Sequence, residues 1–260
     1  MQSEKYLNFV PFETSIYVMP PQLTKIKAVF FDFMGTCLDW HTSIVQSSPS
    51  SLPRNEASQL ALEWRRQFFI EIDRRFRQNL PPEDIDETLA RTLELVLNQC
   101  PADLRSHFDD AADDAKRRLI EAWHSQPAWP EVPEAIRRVR EGLGLEVFVL
   151  ANGTTRLQLD LARSSGLSFH MLFSSQLLGV YKPSPDAYLK ALQLVRLGPE
   201  EVVMVAAHAY DLRAAQKSGM KTVYIHRWTD DIDEDMETVE TEFDAFLEGM
   251  EDLPAVIARM

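Results

Sequence analysis

The 260-residue chain has only two cysteines, Cys37 and Cys100, far apart in sequence. That is too few for a disulfide framework, and no Cys/His cluster has zinc-ligand spacing, so a reducing compartment fits best. Basic residues are also short. Against 40 Asp and Glu stand 27 Lys and Arg, a formal net charge of -13, whereas nucleic-acid backbones and anionic membrane surfaces both select a basic footprint. Neither is an expected partner. Long apolar runs are missing too: residues 1–23 have no basic n-region and are interrupted by Pro11, Pro20 and Pro21. This argues against a signal peptide or a membrane span, and residues 1–24 read as an irregular N-terminal arm. No internal repeat is found.

What is present is a 45% hydrophobic chain, long for one minimal domain and short for two, which suggests a core carrying an insertion. The organising stretch is Lys27–Asp39. Ala28 to Phe31 run straight into Asp32, and Phe33, Met34, Gly35 and Thr36 follow, the pattern of a buried strand ending in a tight glycine turn. Asp32 is thereby placed at the carboxyl edge of a strand, where open parallel sheets bind ligands. A carboxylate there is costly to desolvate unless it is paired or used.

After Asp39 the pattern turns helical. Beyond a Ser/Pro-rich loop at 47–53, Leu60, Trp64, Phe68, Ile72 and Phe76 recur every four residues, with Phe69 widening the stripe, which predicts an amphipathic helix. Arg65 borders that stripe, either projecting into a cleft or lying on the surface. Further helical patterns cover 83–98 and 102–125, and strand signals are absent from about 40 to 124. Pro127 and Pro130 mark the return to the core. From there helix and strand alternate, with strands expected at 145–150, near 171–173, at 202–205 and at 221–225. The expected fold is α/β, a doubly wound parallel sheet. Its domains are a core of 25–39 and 125–260 and a helical cap of 40–124. The acidic run Asp230, Asp231, Asp233, Glu234 and Asp235 reads as a solvated face or loop, and 243–260 as a last element packing on the core.

Asp32-Phe33-Met34-Gly35-Thr36 resembles motif I of the haloacid dehalogenase superfamily, whose first Asp is a covalent nucleophile. Leu150-Ala151-Asn152-Gly153-Thr154, Gly179-Val180-Tyr181-Lys182-Pro183 and Val203 to Asp211 stand where the other motifs fall, and in order and spacing the whole resembles a type II, or L-2-haloacid, dehalogenase. The resemblance implies a Rossmann-like haloacid dehalogenase fold with a helical cap inserted after the first strand. The superfamily's phosphatases place a second Asp two residues after the nucleophile and an acidic magnesium ligand four residues before the last Asp. Here those positions hold Met34 and Ala207. A thioether cannot protonate a leaving alcohol and a methyl cannot bind magnesium, whereas halide departs as an anion and needs neither.

The roles the resemblance implies are these. Asp32 attacks the substrate's α-carbon and forms an ester. Lys182 orients Asp32, unless it is an exposed lysine before a proline. Thr36 contacts the nucleophile or caps the turn, and Asp211 holds Lys182, positions water, or caps a helix. Arg65 receives the halide, preceded by a matching Trp64, while Tyr188 orients the substrate or simply packs. Met34 stands where the family usually has Tyr. Ala151 replaces the hydroxyl that binds the substrate carboxylate, a loss of about 1.5–3 kcal/mol that backbone amides at Asn152 and Gly153 offset only partly. His208, in the altered segment Ala206-Ala207-His208, is either a neutral base for ester hydrolysis near Asp211 or a packed histidine.

The expected activity is hydrolytic removal of halide from a 2-halo carboxylic acid without metal or cofactor. A superfamily phosphatase acting on an organic phosphate and a non-catalytic metabolite-binding relative are the alternatives. The expected partner is a small organic acid, with a homodimer open because the family often forms dimers and the 64–76 helix offers apolar surface. The expected location is cytoplasmic. Ala258-Arg259-Met260 loosely resembles the peroxisomal address and can equally end a packed helix.

Overall fold

Six short parallel strands form the centre of the protein, in the order β3-β2-β1-β4-β5-β6. They are β1 (Ala28–Phe31), β2 (Glu146–Ala151), β3 (Met171–Ser174), β4 (Val202–Ala206), β5 (Lys221–Ile225) and β6 (Ala245–Leu247). The computed structural model describes residues 26–78, 80–81, 83–108 and 112–260. The expected arm, residues 1–24, lies outside them. This strand order puts the reversal of winding between β1 and β4, the crevice where doubly wound sheets bind ligands.

The sheet is apolar on both faces because helices cover both. Along β1, Val29 and Phe31 join one core with Val147, Val149, Val203 and Val205, while Ala28 and Phe30 join the other with Phe148, Leu150, Met204 and Ala206. The alternation follows from the two-residue period of a strand. The first face is covered by α6 (Val132–Arg137), α7 (Thr155–Ser165) and α12 (Leu253–Ile257), the second by α9 (Pro185–Val195), α10 (Ala209–Lys217) and α11 (Met236–Glu242).

Between β1 and β2 come α1 (Trp40–Ser47), α2 (Arg54–Arg77), α3 (Ile85–Gln99), α4 (Ala102–Ser106) and α5 (Ala112–Ala122), with no strand among the described residues from Trp40 to Ala122. The buried residues of α2 are Ala57, Leu60, Ala61, Trp64, Arg65 and Phe68, a stripe recurring every three or four positions. Beyond Phe68 the stripe runs along the edge of the core. Ile72 is half-buried and still packs against it, whereas Phe76 is exposed, where the sequence pattern alone places both on the packed face.

Three tail and edge elements depart from the expected ones. β6 is a strand within 243–260, too short at three residues to carry a periodic signal. α8 (Ser175–Leu178) follows β3 directly, capped by Ser174. α10 begins at Ala209 with His208 at the capping position, so Asp211 sits inside the first turn and does not cap it.

Gly35 turns the chain after β1 with φ +86°, and a Cβ on it would lie 2.7 Å from the Asp230 carboxylate oxygens. Gly35→Ala combines left-handed strain with that collision and should cost at least about 2 kcal/mol. The expected result is a Tm lowered by roughly 4–8 °C in thermal melts.

Candidate active site

The carboxyl edges of β1, β2, β4 and β5 carry the side chains that meet here. Asp32 follows β1 and is held from two sides: Thr36 Oγ1 donates to its Oδ2 at 2.7 Å and Lys182 Nζ to its Oδ1 at 2.9 Å. The Ala207 amide donates to Thr36 Oγ1 at 2.9 Å, so the hydroxyl is oriented by the end of β4. Lys182 is buried and also pairs with Asp211, whose other oxygen accepts from the Tyr188 hydroxyl. Asn152 clamps the lysine's backbone: its Nδ2 donates to Lys182 O and Lys182 N donates to its Oδ1, both at 2.9 Å.

Burial alone would raise the Asp32 carboxyl, but Lys182, His208 and the hydrogen bonds from Lys182 and Thr36 outweigh it and hold the group below its usual range. Burial would likewise lower Lys182, yet Asp211 and Asp32 raise it above the ordinary lysine value. Asp211 goes up, because full burial and the neighbouring Asp32 charge exceed the help from Lys182 and Tyr188. The arrangement keeps Asp32 ionised and Lys182 charged.

Asp230, on the segment after β5, organises a second group. It is buried and accepts from Trp40 Nε1 at 3.1 Å and from Thr229 Oγ1 at 2.8 Å, and it pairs with Arg65 Nη2 at 3.4 Å. Arg65 reaches inward from α2, donating to the Met34 carbonyl at 3.3 Å, with its guanidinium carbon 4.5 Å from the Phe69 ring centre and 5.2 Å from that of Trp40. Its buried Nε finds no hydrogen-bond partner among the described residues. Arg65 is an interior cation, not a surface one.

His208 closes the ring. Its Nε2 lies 3.8 Å from Asp32 Oδ2 and 3.7 Å from Asp230 Oδ1, and its Nδ1 lies 3.4 Å from Asp231 Oδ1. Burial would lower its pKa, but the bond to Asp231 and the charges of Asp230, Asp231 and Asp32 push it up to about 9. The expectation of a neutral base beside Asp211 is therefore corrected: the imidazole is cationic at neutral pH and faces three other carboxylates.

Two spaces open onto these residues. A recess of about 40 Å³ is lined by Asp32, Met34 and Ala151. An outer cavity of about 810 Å³ shares Arg65, Phe68, Phe69, Ile72, Asn152, Lys182, His208 and Tyr210 with it. Of the residues expected from sequence, Asp32, Met34, Arg65, Ala151, Asn152, Lys182 and His208 face these spaces, and Thr36 and Asp211 stand directly behind them. Two substrate contacts are not found. Trp64 is wholly buried, donating to Leu89 O and Thr92 Oγ1 at 3.1 Å and packing edge-on against Trp123. Tyr188 is wholly buried and supports Asp211 from behind. The Gly153 amide is engaged by Ser175 Oγ at 2.9 Å, so it does not compensate for Ala151.

Sequence reasoning missed Asp230 and Asp231 by treating their run as solvated. Asp230 is buried, and Asp231 accepts from the Ala209 amide at 2.6 Å and from the Tyr224 hydroxyl at 3.2 Å. The available signal was position, since the run begins just past the end of β5 on the same edge as Asp32. Arg227, which donates to Thr36 O at 3.1 and 3.3 Å, and Trp129, which donates to Gly35 O at 2.8 Å, also fix the turn after β1.

The His208 environment sets a pH dependence. Its folded pKa of about 9 lies above the 6.5 of an unperturbed imidazole, so the stabilisation is complete below about pH 6.5 and is lost as pH rises through 9. Urea titrations from pH 6.5 to 9.5 should show unfolding free energy falling by up to on the order of 3 kcal/mol. In His208→Gln this part of the slope should be missing.

Against known proteins, residues 26–219 match the family model for haloacid dehalogenase-like hydrolases. Over 204 residues the chain is 26% identical to (S)-2-haloacid dehalogenase 4A of Burkholderia cepacia, covering 78% of this chain and 84% of that protein. It is also 26% identical over 218 residues to a glyceraldehyde 3-phosphate phosphatase of Methanopyrus kandleri, with the same shares covered. A crystal structure of an L-2-haloacid dehalogenase superposes with a TM-score of 0.72 at 29% identity, over 90% of this chain and all of the other. With the sheet order and the Asp32 edge site already in place, these matches show that the chain belongs to the haloacid dehalogenase-like hydrolases.

Proposed function

We propose that the protein is a 2-haloacid dehalogenase that works through a covalent ester on Asp32. The observation that carries this reading is an ionised carboxylate, fixed by Thr36 and Lys182, at the floor of a recess walled by the apolar Met34 and Ala151. Arg65, whose Nε has no hydrogen-bond partner among the described residues, forms part of the same wall. A carboxylate oxygen of Asp32 displaces halide from C2, forming the ester bond as the carbon–halogen bond breaks, and halide leaves with the bonding pair toward Arg65. Water then adds at the Asp32 carboxyl carbon. Thr36 and the His208 cation stand by Oδ2 and Lys182 by Oδ1, so whichever oxygen gains charge there meets a positive or donating group, and collapse returns the Asp32 carboxylate, a 2-hydroxy acid and one proton.

Lys182 and His208 face the junction of recess and cavity and supply the positive charge for the substrate carboxylate in place of the absent hydroxyl at Ala151. The 40–124 helices act in this reading as a cap, delivering Arg65 and excluding water. The named phosphatases among the relatives favour a second reading, hydrolysis of an organic phosphate. The residues present do not fit its magnesium ion: Ala207 offers a methyl at the ligand position, and the His208 imidazole lies within 4 Å of both Asp32 and Asp230.

A single turnover in ¹⁸O-water separates covalent from direct attack. The product hydroxyl should carry ordinary oxygen from Asp32 with the heavy label left in the enzyme; label in the first-turnover product would reduce Asp32 to a general base. Halide release should persist in EDTA, and a strict magnesium requirement would revive the phosphatase. Arg65→Ala removes a charge-assisted contact to the departing anion and should lower kcat by roughly 10- to 100-fold, with circular dichroism as the folding control.

A further inference from the structure

The two spaces at the site differ twentyfold in volume, about 40 Å³ against about 810 Å³. The recess at Asp32 holds only the reacting carbon and its nearest atoms, since a single water already needs roughly 10–15 Å³ on such a measure. A two- or three-carbon haloacid would leave the outer cavity to solvent. That cavity is in the size range of whole small-molecule sites.

Its walls are also unlike a solvent vestibule. Ile70 and Phe76 of α2 are 49% and 42% exposed, and Ile232, inside the acidic run, is 54% exposed; Leu80 and Val180 line the same space from two further segments. Scattered surface apolar residues need no explanation, but here four separate stretches of chain turn theirs toward one space. The charges at this cavity are largely matched with each other, Arg75 with Glu83 at 2.9 Å and Arg66 with Asp233 at 3.8 Å. The neck to Asp32 is shaped by Phe68, Phe69 and Ile72, which border both spaces.

Resting on the dehalogenase reading above, we infer that the outer cavity houses a large apolar substituent of the substrate. The substrate class is then a 2-halo carboxylic acid bearing an aryl group or an alkyl chain of roughly six or more carbons. C2 enters the recess, the carboxylate stays at the Lys182–His208 junction, and the substituent lies along the α2 face. The bonds made and broken are those of the proposed displacement and hydrolysis.

The test is halide release from 2-bromopropanoate, 2-bromohexanoate, 2-bromodecanoate and 2-bromo-3-phenylpropanoate, with calorimetric binding of the unreactive 2-hydroxypropanoate and 2-hydroxydecanoate. kcat/KM and affinity should both rise, by about three- to fourfold for each methylene buried. Ile70→Asp, at a half-exposed position that does not build the fold, should bring the long-to-short ratio back toward one. Flat or falling values along both series would overturn the assignment. Release from none of the bromo acids, with affinity still rising with chain length, would remove the dehalogenase reading and leave the cavity assigned to a large apolar acid.

Discussion

Lys182 lies between two buried carboxylates, and the rest of the site depends on that arrangement. Asp32 and Asp211 could not both stay charged so close together without it, and the lysine would be as costly in the interior without them. Each member is also hydrogen-bonded from behind. Thr36 holds Asp32, Tyr188 holds Asp211, and Asn152 fixes the lysine's backbone. Removing a partner would leave an uncompensated charge, a loss typically of about 3–5 kcal/mol.

Asp230 extends the same logic from the sheet to the helical segment. Its carboxylate receives Trp40 from α1 and Arg65 from α2 while facing His208 from the end of β4. Arg65 is further surrounded by aromatic rings, whose faces favour a guanidinium. The carboxylates at the edge outnumber the cations that face them. This excess explains both the raised His208 pKa and the way Lys182 stays charged despite burial.

Much of this was readable from the chain. The β1 run into Asp32 and the alternation from 145 to 225 gave the parallel sheet, because strands covered on both faces carry continuous apolar runs. The motif residues Asp32, Thr36, Lys182 and Asp211 meet as their order along the chain suggested. The misreadings share one cause. Asp230 and Asp231 sit in an acidic run that composition assigns to solvent, and Trp64 and Tyr188 are amphipathic residues whose apolar bodies suit a core or a cavity equally well. Linear pattern does not tell which side of such a residue faces the substrate.

The sequence by itself determined the architecture and the position of Asp32 at the sheet edge, since hydrophobic period, turn glycines and motif order are local properties. Tertiary structure decided the electrostatics and the shape. Whether His208 is neutral or charged depends on carboxylates from the ends of β1 and β5, and Arg65 faces inward because a buried acid 165 residues away receives it. The spaces of about 40 and 810 Å³ exist only where α2 crosses the sheet edge. Charge–charge energies and cavity volumes depend on distances between residues remote in sequence, and those distances are fixed only when the chain has folded.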